Sequence, residues 1–297
     1  MSEIYTLVVQ AIVMGFLLAG VYSVIALGLS LVWGVMKVAN FAHGSIVILT
    51  AYFAFWMSTL FGMDPLFSIF IWTGIFFALS YGLQLLLVRP IEGRARGAKF
   101  EMATMIILFG LSIVIQSLIL FFWKANIRAI SVSYFGVPSI KVSDFYLPSP
   151  RVVSLIIAIA VVASTGLFLQ RTYMGKAIRA TAQDREAAMI LGVNVSNTSS
   201  LAFAIGGGLL ASVGGVVVSL SYPFGPASDL LWCVKGFVVV VLSGTGTITG
   251  VLLGAFILGI AESITAAILP FAFRDVVSLL IFILIMLFRP KGLLGRV

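Results

Sequence analysis

"DREAAMILG", residues 184–192, sits in the wettest part of a very apolar chain. Charged side chains make up 9% of the protein, yet residues 171–185 alone hold Arg171, Lys176, Arg179 and Arg185. Asp184 and Glu186 fall among them, and apolar runs at 152–170 and 199–221 lie on either side. Each run can cross a hydrocarbon core about 30 Å thick. The patch between them has no Gly or Pro from 176 to 191 and is dominated by Ala, Arg, Gln, Glu and Met. Those are strong helix formers. The reading is one short helix outside the bilayer, with Gly192 as its C-cap and "NVSN" as the turn into the next span. Its apolar face would hold Ile178, Met189, Ala182 and Ile190, and its charged face Arg179, Asp184, Arg185 and Glu186.

Composition extends the membrane reading to the whole chain. Hydrophobic residues make up 61%, and the mean hydropathy is +1.20. Globular chains hold about 45–50% apolar residues. Apolar runs recur at 6–35, 41–60, 66–88, 102–123, 152–170, 199–221, 233–245, 249–268 and 276–288. An all-α polytopic membrane protein follows, with eight to nine crossing helices in a single transmembrane domain, 1–297. The first run is too long for a straight crossing, so a break or a strong tilt is expected there. The runs at 233–245 and 276–288 are short, which suits re-entrant or protein-buried helices. "MSEIYTLVVQ" carries no basic n-region, so the first run reads as a retained span rather than a cleaved signal.

Lys and Arg orient the chain. Lys37, the connections 89–101 and 171–198 and the C-terminal tail (Arg289, Lys291, Arg296) collect twelve basic residues on one face, against six on the other. Basic residues concentrate on cytoplasmic loops, so these connections and the C-terminus are expected inside and the N-terminus outside. The same rule accounts for the net charge of +8 without a nucleic-acid partner. Residues 124–151, with alternating β-branched and aromatic residues and Pro148 and Pro150, read as an external cap containing a hairpin.

Chemistry is sparse. Cys233 is the one cysteine and His43 the one histidine, so a His-rich zinc site, a Ser-His-Asp arrangement or a Cys-His nucleophile would need partners the chain hardly offers. No phosphate-cradling G-x-x-x-x-G-K-[ST] occurs, and neither an enzyme activity nor a cofactor is expected. Asn40 and His43 in "NFAHGS" stand at the start of the second span, where His43 reads as a cap or anchor. Gly15, Ala19 and Ser23 recur at helix-ridge spacing, as do Gly207, Ala211, Gly215 and Ser219. Gly246, Gly250 and Gly254 form a third ridge; such ridges let helices approach closely, or leave room for a substrate path. Glu262 lies inside a span and is a functional candidate by position alone. Either it makes an interhelical hydrogen bond, or it serves an ion or proton relay for which no further acidic or histidine partners are evident. Lys235 reads as snorkelling to the outer surface.

Several stretches carry a resemblance. "EAAMILG" (186–192) reads as the E-A-A-x-x-x-G signature of permeases from bacterial ATP-binding-cassette importers. "SVIALGLSLVWGVMKVANFAHG" (23–44), "RPIEGRARG" (89–97) and residues 254–296 resemble the shorter permease of high-affinity branched-chain amino acid import systems. "SGTGTITG" (243–250) departs from that family's Gly-Gly-x-Gly-Ser-x-x-Gly run, with less backbone freedom. The resemblance implies a subunit of the inner membrane that works with ATPase subunits, a second permease in a heterodimer and an external solute-binding protein. It implies that Arg179, Asp184, Glu186, Ala187, Ala188, Met189 and Gly192 belong to the helix that docks on the ATPase. Asn40, His43, Gly246, Gly250, Gly254 and Glu262 are candidates for the translocation path or for its packing. Two other readings stay open: a stand-alone ion- or proton-coupled carrier, or the same importer class serving urea, short amides or another small substrate.

Overall fold

The first apolar run forms one uninterrupted helix, α1 (Ser2–Met36). The expected break is absent. Its interior has no Pro, and its glycines serve as packing surfaces rather than hinges. A Cβ on Gly15 would sit 2.6 Å from the Ile260 backbone, and one on Gly28 2.6 Å from the Gly206 carbonyl oxygen. Gly206 faces Gly28 reciprocally, its Cβ position 2.5 Å from the Gly28 oxygen. Two backbones touch here, which only glycine permits.

The computed structural model describes residues 2–92, 94–95, 97–142, 145–244, 247–270, 273–289 and 292–293, with side chains from Tyr5 onward. Arg96, Gly246, Lys291 and Arg296 lie outside the described residues. After α1 come α2 (Ala42–Phe61) and α3 (Pro65–Leu83), which runs through a π-helical stretch (Gln84–Val88) into α4 (Arg89–Glu92). Then follow α5 (Ala98–Trp123), strands β1 (Ser139–Val142) and β2 (Phe145–Pro148), and α6 (Ser149–Arg171). Two short helices, α7 (Tyr173–Gln183) and α8 (Arg185–Ile190), lead to α9 (Val195–Phe203). A second π-helical stretch (Ala204–Leu210) joins α9 to α10 (Ala211–Ser221). The chain ends with α11 (Ser228–Ser243), α12 (Ile248–Ile268) and α13 (Phe273–Phe288).

Seven helices or helix runs among the described residues are long and apolar enough to cross a bilayer. The two short apolar runs form α11 and α13, 16 residues each. Their environments differ. α11 is buried along most of its length, whereas α13 keeps only Ser278 buried. The core is centred on α1, α10 and α11, with α12 against them. The outer faces of α3 and α5 stay apolar and exposed, as at Phe70 and Phe121, which suits lipid or another subunit.

Connection 124–148 forms the expected hairpin, with β1 and β2 antiparallel and Ser139 opposite Pro148. It is tied to the bundle by side chains. The Gln10 carboxamide donates to the Tyr146 carbonyl at 2.8 Å and accepts from its N–H at 3.2 Å. The Tyr134 hydroxyl donates to Asp64 at 2.9 Å, while Asp64 also caps α3 through the Leu66 N–H. Burial, then the Asp64 carboxylate, push the Tyr134 phenol well above its ordinary pKa. The hairpin and the start of α1 therefore define one end of the bundle, and α7 and α8 the other.

Small residues set the helix spacing. On Gly44 a Cβ would meet the Asp229 carbonyl oxygen at 2.2 Å and the Cys233 Cβ at 2.6 Å. Gly44→Ala is therefore expected to push α2 off α11, at a cost of about 1–3 kcal/mol by overpacking. Thermal unfolding of the detergent-extracted protein measures it, and an unchanged midpoint would show that this contact is looser than described.

Candidate functional site

The turn out of α6 is set by local chemistry. Thr172 caps α7, its hydroxyl accepting the Gly175 N–H at 3.0 Å. Gly175 packs so tightly on the end of α6 that a Cβ would lie 2.2 Å from the Phe168 carbonyl oxygen. α7 then turns Ala177, Ile178 and Thr181 inward. The single helix expected over 176–191 is instead two. At Asp184 the backbone is extended (φ −150°, ψ 113°), and its carboxylate accepts the N–H groups of Glu186 at 2.9 Å and Ala187 at 3.0 Å. An Asp that can satisfy the first N–H groups of a new helix competes with continuing the old one. That local preference breaks the run.

α8 ends as expected. Gly192 is left-handed (φ 81°), and the N–H groups of Gly192 and Val193 reach back to the carbonyls of Met189 and Ala188. Both hydrogen bonds belong to one C-capping motif that needs the glycine. Asn194 then caps α9 through the Asn197 N–H. The result is a rigid spur whose tip exposes apolar side chains: Met189 is 52% exposed, Ile190 86% and Leu191 80%. Ala187, Arg179, Asp184 and Glu186 are exposed with them. Ala188 is different: only 1% exposed, it packs inward rather than at the tip. Arg185 pairs with Glu92 at 2.5 Å, fixing α8 to α4, and a groove of about 630 Å³ opens beside this pair and Met189.

Glu262 lies 0% exposed on α12 and has the partners the sequence did not reveal. It accepts hydrogen bonds from the Tyr22 hydroxyl at 2.6 Å, Arg274 Nε at 2.7 Å, Lys235 Nζ at 3.2 Å and the Ser278 hydroxyl. Lys235 also reaches Asp275 at 2.8 Å. So Lys235 does not snorkel outward; it closes an ion cluster that joins α1, α11, α12 and α13. The Glu262 position two-thirds along α12 was legible, but Arg274 and Asp275 read as ordinary residues at the edge of the last apolar run. Tyr22 carries no charge to signal it.

Asn40 and His43 are both fully buried. His43 sits at the second residue of α2, which has no side-chain cap, and packs against Gly28 rather than capping the helix. The Asn40 carboxamide abuts Gly207. Gly250 and Gly254 face the end of α11: a Cβ on Gly254 would come 2.9 Å from the Val239 carbonyl oxygen. Asn40 and His43 thus stand at the α1–α2–π-helix junction, Gly254 at the α11–α12 contact and Glu262 in its ion cluster. They do not converge on one pocket. No group of three or more metal-ligating side chains occurs among the described residues.

The described residues form a multi-span helical bundle with a capped helical spur between two crossings. The family model described as "Branched-chain amino acid transport system / permease component" matches residues 11–286, and the chain belongs to that family. Curated relatives match along their whole length. The high-affinity branched-chain amino acid transport system permease protein BraD of Pseudomonas aeruginosa is 31% identical, over 100% of this chain and 98% of its own. The corresponding protein LivH of Escherichia coli (strain K12) is 30% identical over the same shares. Among solved structures, PsaBC from Streptococcus pneumoniae in complex with Fab has a chain of similar fold, with a TM-score of 0.50 at 13% identity. That match covers 94% of this chain and 91% of the other.

Proposed function

We propose that this chain is one of two permeases in an ATP-driven importer of branched-chain or related amino acids in a bacterial inner membrane. The second permease completes a heterodimer, two ATPases bind from the cytoplasm, and a solute-binding protein delivers substrate from outside. The observation that carries this reading is the α7–α8 spur. Its caps and its Arg185–Glu92 pair hold it rigidly, while Met189, Ile190 and Leu191 remain uncovered at its tip. An apolar tip on a short helix is suited to a groove in a partner, and rigid attachment lets movement of that partner reach the spans. Burial of Glu262 among two cations and two hydroxyls favours a structural role for it over proton carriage.

The Lys and Arg distribution supports an orientation with the spur inside and the hairpin outside. Lys176 is exposed on α7, whereas the native Cys233 is buried. A Lys176→Cys thiol should therefore react with a membrane-impermeant reagent only after cells are opened; labelling of intact cells would invert the topology. Function is tested by reconstituting the chain with its companion subunits in proteoliposomes. Leucine uptake should need both ATP and the binding protein, and uptake driven by an ion gradient alone would replace the importer with a coupled carrier.

A further inference from the structure

At the hairpin end, a cavity of about 940 Å³ opens between α1, β2, the start of α6 and the end of α12. That lies within the roughly 300–1,000 Å³ of small-molecule pockets. One wall is a single face of α1, with Leu7, Ala11, Met14 and Leu18 at spacings of four, three and four; Ala266 and Ala267 face it from α12. The polar part of the lining includes two guanidinium groups, Arg151 and Arg274, and no carboxylate among the described residues.

The two arginines are not equivalent. Arg274 is committed to Glu262 and the Tyr22 hydroxyl. Arg151 has no ion pair among the described residues. Its hydrogen-bond contacts are the Ser221 carbonyl at 3.4 Å and the Met14 sulfur at 3.6 Å, both weak acceptors at long range. Its guanidinium carbon instead lies over the Tyr222 ring, 4.6 Å from the centroid. A cation–π contact holds the guanidinium without using up its N–H groups, and the guanidinium fork matches a carboxylate two donors to two acceptors. Among the described residues the lining holds no counterpart for an ammonium, and Glu262 is buried with its own partners.

We propose that this cavity is a carboxylate-selective binding site, in which Arg151 takes the carboxylate of an amino acid or 2-oxo acid and the apolar faces of α1 and α12 take its branched side chain. The inference rests on the amino acid importer reading and names the group of the substrate that the permease itself would recognise. The ammonium stays toward water and contributes nothing to selection. An anionic lipid shares the same pattern of charged head and apolar body, but the hairpin residues Tyr146 and Pro148 line the cavity as well, which suits a ligand arriving from the aqueous face.

The test uses the assembled importer in nanodiscs without its binding protein, carrying Ala267→Cys in the cavity wall as a labelling site. 4-Methyl-2-oxopentanoate and leucine should both slow maleimide labelling of the introduced thiol, acetate less so, and isoamylamine not at all. Adding Arg151→Gln should weaken protection by the two carboxylates about tenfold or more, with the unliganded labelling rate and ATPase co-purification unchanged. Arg151→Lys, which keeps charge without the fork, should fall between. Protection by the amine equal to that by leucine, or full protection in Arg151→Gln, overturns the site. So does protection that appears only when phosphatidylglycerol replaces phosphatidylcholine in the disc, which would make it a lipid site. ATP-driven leucine uptake without carboxylate protection rejects the site and leaves the importer reading; carboxylate protection without any ATP-driven uptake does the reverse.

Discussion

Glu262→Ala should lower the stability of the detergent-extracted permease by about 3–5 kcal/mol, the usual result of removing one partner from a buried charge cluster. Among the described residues, the Glu262 carboxylate bridges α1, α11, α12 and α13 through Tyr22, Lys235, Arg274 and Ser278. Without it Lys235 keeps Asp275, but the Tyr22 and Ser278 hydroxyls lose a buried partner and Arg274 loses the carboxylate 2.7 Å from its Nε. Glu262→Gln should be milder, because one oxygen still accepts. Its new N–H₂ group, however, must face donors on several sides. We expect substantial ATP-driven uptake from Glu262→Gln together with a reduced melting temperature, and little folded protein from Glu262→Ala. Thermal unfolding followed by size-exclusion chromatography reads both. A stable, well-assembled Glu262→Gln protein that transports nothing would mean that the charge itself serves transport.

How much of this was legible in the sequence depended on whether the determining interaction was local. Hydrophobic run lengths located the helices, and Gly192 and Asn194 act through the backbone within a few residues, so the exit from α8 reads directly. Asp184 is also local, but its meaning is two-sided: the same residue can decorate a helix or cap a new one. Only the observed backbone decides that it caps α8. Nor does helix-forming composition show which way Ala188 faces once the run is broken, since the break resets the phase of the apolar stripe. The partners of Glu262 are out of reach for a different reason. Tyr22 and Arg274 stand 240 residues before it and 12 after it, on different helices. No periodicity connects them. The uninterrupted α1 removes only one of the two expectations for a run longer than the bilayer, the break rather than the tilt, because its glycines are consumed by helix contacts.

The exposed tip of α8 allows coupling to be separated from folding. Ile190 is 86% exposed and Ala188 1%, two positions apart on the same six-residue helix. If the tip seats in an ATPase groove, Ile190→Asp places an unpaired charge in that contact and leaves the permease interior untouched. Loss of a central apolar anchor costs about 2 kcal/mol or more, roughly a thirtyfold drop in affinity. The permease should then accumulate normally, melt normally and fail to retain the ATPase in detergent extracts, with substrate-stimulated ATP hydrolysis lost in parallel. Ala188→Asp should fail one step earlier, because its carboxylate would be forced into the packing beneath α8 and lower the melting temperature of the permease itself. Gly192→Val tests the intermediate case. Nothing lies within 4 Å of the position, so the side chain fits, but a β-branched residue at φ 81° strains the exit from α8. It should weaken ATPase retention less than Ile190→Asp does. Should Ile190→Asp hold the ATPase as tightly as wild type, the spur is not the docking element, and the contact must lie elsewhere on this face, with the groove beside Arg185 and Glu92 as the next surface to probe.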